Sequence, residues 1–96
     1  MKETRNDCNN VFKEREDLKL LKTLFEFDIE KTEDTYSSVK EIAKDENVDE
    51  DIIIWNIFKK YQLRLINFDD IKNKRLGRIV IPNSTQVASM KAKLLA

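Results

Sequence analysis

The chain has 96 residues, 41% of them hydrophobic and 38% charged, with a formal net charge of zero. This length suits one domain with a single modest core. One cysteine, Cys8, and no histidine exclude an internal disulfide, Ser-His-Asp or Cys-His catalysis, and zinc sites built from histidine or from four thiolates. We therefore expect a single domain that is not an enzyme and that holds no cofactor.

The charges are segregated along the chain. Residues 1–51 hold 9 Lys and Arg against 16 Asp and Glu, a net charge of −7, whereas residues 52–96 hold 9 against 2, a net charge of +7. Such asymmetry indicates a basic face for a polyanion, two faces that attract each other, or surface charge without a function. No run of about 18 apolar residues could span a membrane, and the N-terminus lacks the apolar region of a secretory signal. We expect an intracellular protein, in the cytoplasm and nucleoid or in the nucleus.

The first half of the chain predicts three helices. Residues 1–9 are polar and predict a flexible arm, and the residues from Asn10 predict an amphipathic helix that ends near Phe27. Residues 28–36 carry no period and predict a loop. Ser38, with Glu41 three residues later, forms a capping box that predicts a second helix running to about residue 46. Asp49 is placed as the N-cap of a third helix, whose core-facing residues are Ile53, Ile54, Ile57, Phe58 and Tyr61.

The second half predicts a hairpin and a last helix. Residues 63–68 alternate, residues 69–77 contain turn formers and the single glycine, and residues 78–82 are β-branched up to the single proline. This pattern predicts a β-hairpin with its tip near Asn73 to Gly77. Ser84 is placed to cap a final helix with an apolar face of Val87, Met90 and Leu94.

The order of these elements resembles the winged helix-turn-helix family, many of whose members are DNA-binding regulators. The resemblance covers about Asn10 to Pro82 and includes the segments "KKYQLRL" and "KNKRLGR", with apolar residues at Ile42, Ala43, Val48, Ile53 and Ile57. It implies a mainly α fold with a β-hairpin, in which residues 10–96 form three helices, a wing and a C-terminal helix. Asn47 stands where the family has glycine, and Glu46 and Asn56 stand where it has apolar residues.

The resemblance implies a DNA-binding transcriptional regulator or accessory factor. The third helix would enter the major groove and the wing would grip the phosphates of duplex DNA. The residues implied in DNA contact are Asn56, Lys59, Lys60, Gln62, Arg64, Lys72, Lys74, Arg75 and Arg78. The acidic start of the third helix, residues 49–51, opposes this interpretation because phosphate would repel it.

The alternative is a winged-helix module that docks a protein partner. A helical wheel places Ile52 and Trp55 on the outward face of the third helix, and an exposed tryptophan is typical of an interface. If so, Trp55→Ala abolishes partner capture and leaves the fold intact; a Trp55 covered by other elements is equally consistent with the sequence. A homodimer through the first or the C-terminal helix is also left open.

No metal site is expected. Residues 45–56 have the spacing of an EF-hand loop, but Glu50 replaces the glycine of its sixth position and Asn56 replaces the glutamate of its twelfth. Asp69 and Asp70 are paired carboxylates beside a turn without a nucleophile or base in view, so they do not indicate catalysis.

Overall fold

The computed structural model describes residues 14–96, which form helices and no β-strand. Within the described residues, helix α1 covers residues 14–24, and the others are α2 (Ile29–Glu46), α3 (Glu50–Gln62), α4 (Phe68–Lys72) and α5 (Ser84–Leu95). The predicted arm at residues 1–9 and the predicted start of the first helix lie outside the described residues. Within residues 14–96, no helix is long and apolar enough to cross a membrane.

Helix α2 is twice as long as the sequence predicts. Its N-cap is Asp28, whose carboxylate accepts a hydrogen bond from the Lys31 amide at 3.0 Å. The predicted loop at residues 28–36 is therefore wrong, because the residues that face inward there are Thr32 and Thr35, whose polarity hides the helical period. Ser38 lies inside the helix, where its hydroxyl donates to the Lys72 carbonyl at 3.3 Å instead of capping.

The turn between α2 and α3 agrees with the prediction. Asn47 adopts a left-handed conformation with φ of 56°, which asparagine tolerates better than most residues. Asp49 is the N-cap of α3, and Glu50 and Asp51 occupy its first turn, where the helix dipole favours carboxylates. The predicted core-facing residues of α3 are buried or half-buried.

The predicted hairpin is wrong, and with it the winged helix-turn-helix fold. The Asn67 side chain accepts a hydrogen bond from the Asp70 amide at 2.9 Å, and the Asp70 carboxylate accepts one from the Asn67 amide at 3.1 Å. This capping box starts α4 where a strand was expected. Residues 73–83 then cross α3 without forming a strand. We call residues 72–78, which begin with the last residue of α4, the basic loop.

The core lies between all five helices. Helix α3 packs on both α2 and α5, and α4 packs on α2. The side chains at its centre are Leu20, Leu21, Val39, Ile53, Ile54, Ile57, Ile71 and Met90. The predicted inner face of α5 is confirmed, since Met90 is buried and Val87 and Leu94 pack against the core. The cap of α5 is Asn83 instead of Ser84, in a capping box with Gln86.

Candidate functional site

The middle of the predicted outward face of α3 is buried. Trp55 is 8% exposed and Asn56 is 1% exposed, while Ile52 is half-buried. Trp55 borders a small hollow that Met90 of α5 also lines, so α5 covers the face that the helical wheel placed in solvent. The Lys59 ammonium lies 5.9 Å from the centroid of the Trp55 ring, a cation–π contact at the edge of this face.

Asn56 holds the chain instead of facing a ligand. Its Nδ2 donates to the carbonyls of Ile52 and Val80, and its Oδ1 accepts from the Val80 amide, each at 2.8 Å. The side-chain amide thus pairs with Val80 as a neighbouring strand would. Asn56 is therefore unavailable for the predicted contact with a DNA base.

Lys60, one turn further along α3, has a similar structural role. Its Nζ donates to the carbonyls of Leu76 and Arg78 at 2.5 Å each. Partial burial lowers the pKa of Lys60 below the ordinary value of lysine. Together, Asn56 and Lys60 attach residues 76–80 to α3, so two of the predicted DNA contacts serve the fold.

The remaining predicted DNA residues are exposed, but several face carboxylates. These residues are Lys59, Gln62, Arg64, Lys72, Lys74, Arg75 and Arg78. In the basic loop, Lys72 lies 3.9 Å from Asp34 and Lys74 lies 2.9 Å from Glu41. Arg75 lies 3.7 Å from the Asp70 carboxylate. A phosphate would have to displace these carboxylates.

The two oppositely charged halves of the chain attract each other. Lys91 lies 2.8 Å from Glu16 and 3.3 Å from Asp51, and so joins α5 to α1 and α3. Burial opposes the charged form of Lys91, but its hydrogen bonds to these two carboxylates and their charges raise its pKa overall. Together with the ion pairs of Lys72 and Lys74, these contacts pair cations of the second half of the chain with carboxylates of the first half.

Four exposed apolar side chains lie on two neighbouring corners of the fold. The Phe25 ring contacts Tyr61 edge-on at 5.3 Å and Phe68 at 5.9 Å, which brings the corner after α1 against the corner after α3. We call the four exposed residues of these corners the apolar end: Phe27, Ile29, Leu63 and Leu65, each 62% to 68% exposed. The sequence pattern did not indicate this surface, because the first helix was predicted to end near Phe27, residues 28–36 were predicted as a loop and residues 63–68 as a strand.

A second surface, the α1–α2 groove, begins at the same corner. It encloses about 400 Å³ and is lined by Arg15, Leu18, Lys19, Lys22, Ile29, Thr32 and Glu33. The three cations of α1 stand at positions i, i+4 and i+7, a spacing that places them along one side of a helix. This spacing can be recognised in the sequence, but the packing of α2 beside these cations cannot.

Other polar clusters offer less. A hollow of about 620 Å³ beside the α2–α3 turn mixes Lys40 and Lys44 with Asp49 and Glu50, so it favours neither sign of charge. Burial, together with the charges of Glu50 and nearby acids, raises the pKa of Tyr36. Within residues 14–96, no three His, Cys, Asp or Glu side chains are arranged to hold a metal ion.

Comparisons of the chain with protein-family models, with curated proteins and with solved structures found no match. Its function is therefore inferred from its own surfaces: the apolar end, the α1–α2 groove and the basic loop.

Proposed function

We propose that the chain is a protein-binding domain that contacts its partner through the apolar end. The observation that supports this is the exposure of four large apolar side chains, 62% to 68% each, on two corners that touch. Clustered exposed apolar area is unusual on a monomeric protein and is typical of an interaction surface. Complete burial of one such side chain contributes about 1.5–3 kcal/mol, so a partner that covers several gains a useful binding energy.

The shape and backbone of this end support the proposal. A hollow of about 460 Å³ opens beside Leu65, and its lining combines Tyr61, Ile66 and Phe68 with the polar residues Arg64, Asn67 and Asp70, so it could receive an amphipathic side chain of the partner. Phe27 has φ of 67°, a left-handed conformation that is unfavourable for a bulky residue. Residues in such unfavourable backbone conformations cluster at functional sites. The partner surface thus differs from the predicted one at Ile52 and Trp55.

The test is a variant that carries Ile29→Asp and Leu65→Asp. Peptides are selected from a random display library on the wild-type chain, and their affinities are measured by fluorescence polarisation. We expect the double variant to lose at least about tenfold in affinity for the selected peptides, because charge at the apolar end prevents its desolvation. Its free energy of unfolding should change by no more than about 0.5 kcal/mol, since both side chains are exposed.

The matched control is Ile81→Asp, which alters an equally exposed aliphatic residue in the segment held by Asn56. This control should retain the affinity of the wild-type chain. A library that yields no binding peptide, or peptides that bind the double variant as well as the wild type, would contradict the proposal.

Duplex DNA is the second candidate partner, and the basic loop supports it. Its ion pairs are exposed, and such pairs contribute about 0–1 kcal/mol, so phosphates could replace the carboxylates. We expect the double variant Arg75→Ala, Arg78→Ala to bind mixed-sequence duplexes more weakly by the same factor for every sequence. The slope of log affinity against log salt should fall by about 2 in magnitude. Unchanged affinity and slope in a polarisation titration would rule this candidate out.

A further inference from the structure

We infer that the α1–α2 groove binds an amphipathic helix of the partner whose apolar stripe is flanked by acidic residues. This inference rests on the proposed protein-binding function, because Ile29 belongs both to the apolar end and to the groove. It specifies the chemistry of the partner, which the apolar end alone does not.

The floor of the groove is suited to aliphatic side chains. Leu18 is half-buried, Ile29 is largely exposed, and the methyl-bearing Thr32 is buried; all three line the groove. The volume of about 400 Å³ lies within the range of about 300–1,000 Å³ that is typical of ligand-binding clefts. A partner that inserts a few aliphatic side chains would remove the exposed face of Ile29 from water.

One wall of the groove carries three positive charges. Arg15, Lys19 and Lys22 are all exposed, and none of the three makes an ion pair with another of the described residues. The lysines of the basic loop differ, since Lys72 and Lys74 face carboxylates. These three cations lie in the half of the chain whose net charge is −7, yet no described carboxylate pairs with them. They therefore favour a partner that presents acidic groups to the groove.

The arrangement favours an acidic helix over a nucleic acid or a membrane. From the first cation to the third, α1 rises by about 10 Å, and a helix lying alongside repeats its own side chains with the same rise. Carboxylates at i, i+4 and i+7 of the partner would then face the three cations together, as the charged flanks of a coiled-coil seam do. A partner helix can place its carboxylates against the cations and leave an uncharged residue facing Glu33 on the opposite wall, whereas a phosphate backbone or an anionic lipid surface carries negative charge throughout.

The experiment compares two synthetic peptides by fluorescence polarisation on the full chain. The first is an amphipathic helix of about 18 residues with leucine along one face and glutamate at i, i+4 and i+7 beside it. The second carries glutamine in place of each glutamate. We expect the glutamate peptide to bind at least about tenfold more tightly at low salt. The difference should be smaller at moderate salt, because ions screen the attraction between the glutamates and the groove cations.

Two triple variants locate the effect. The variant Arg15→Gln, Lys19→Gln, Lys22→Gln should bind both peptides equally. Its control, Lys44→Gln, Arg78→Gln, Lys93→Gln, removes the same charge from exposed cations outside the groove and should keep the preference for glutamate. Urea unfolding of both variants verifies that the fold is retained.

The outcomes separate this inference from the proposed function. Equal binding of the two peptides to the wild-type chain, lost in the Ile29→Asp, Leu65→Asp variant, would overturn the acidic partner and leave the protein-binding function standing. Tighter binding to phosphatidylserine vesicles or to duplex DNA, abolished by the groove variant, would assign the cations to phosphate and overturn the inference. Salt-sensitive self-association abolished by the groove variant, without binding of the glutamate peptide, would overturn it in favour of a second copy of the chain.

Discussion

Trp55→Ala is expected to lower the free energy of unfolding by about 3–5 kcal/mol, which is the usual loss for a buried aromatic side chain. Trp55 is 8% exposed and lies where α5 packs on α3, so its removal leaves a cavity between two helices. An exposed interface tryptophan, as the helical wheel predicts, would instead leave the stability unchanged. Urea unfolding followed by circular dichroism distinguishes the two.

The fluorescence of the wild-type chain provides an independent check, because Trp55 is its single tryptophan. Its emission maximum should be blue in the folded protein and move to the red as urea unfolds the chain. Trp55→Phe, which keeps an aromatic ring, should lose less stability than Trp55→Ala. A red maximum in the folded protein, or a Trp55→Ala variant as stable as the wild type, would show that the side chain is solvated.

Local signals predicted the parts of the fold that depend on neighbouring residues. For α3, the carboxylates at residues 49–51 mark the start, and the aliphatic residues at three- and four-residue spacing mark the buried face. Asn47 supplies the left-handed residue of the preceding turn. These features come from contacts within about one helical turn, so a single sequence contains the information.

The segment after α3 depended on contacts that are distant in the sequence. The sequence contains the capping box of Asn67 and Asp70, but the alternation of residues 63–68 predicted a strand. The backbone of residues 76–80 then finds its hydrogen-bond partners on Asn56 and Lys60, 16 to 24 positions earlier. No local pattern indicates that this backbone forms its hydrogen bonds with side chains of a helix and not with the backbone of a neighbouring strand.

The candidate surfaces were predictable to different extents. The spacing of Arg15, Lys19 and Lys22 is legible as one side of a helix, but that they border an apolar groove depends on the position of α2. The exposure of Leu63 and Leu65 was not predictable, because the alternation there suggested a half-buried strand. Asn56 is visibly polar in the sequence, but its hydrogen-bond partner Val80 lies 24 residues away.

Asn56→Ala is expected to lower the free energy of unfolding by about 2–3 kcal/mol. The change removes three hydrogen bonds, each at 2.8 Å, and leaves the amide and the carbonyl of Val80 without their partner on α3. Each hydrogen bond contributes about 1 kcal/mol on average, so the loss of three accounts for a decrease of this size. Urea unfolding measures the total, and hydrogen exchange at the Val80 amide should become faster.

Two further variants show whether the loss has this cause. Asn56→Asp keeps the size of the side chain and an acceptor for the Val80 amide, but it places a carboxylate oxygen beside the carbonyls of Ile52 and Val80. It should therefore destabilise the protein as well. Gln62→Ala, which removes an exposed side-chain amide from the same helix, should change the stability by no more than about 0.5 kcal/mol. If Asn56→Ala were as harmless as Gln62→Ala, the Asn56 amide would not hold Val80 and would be free to contact a ligand such as DNA.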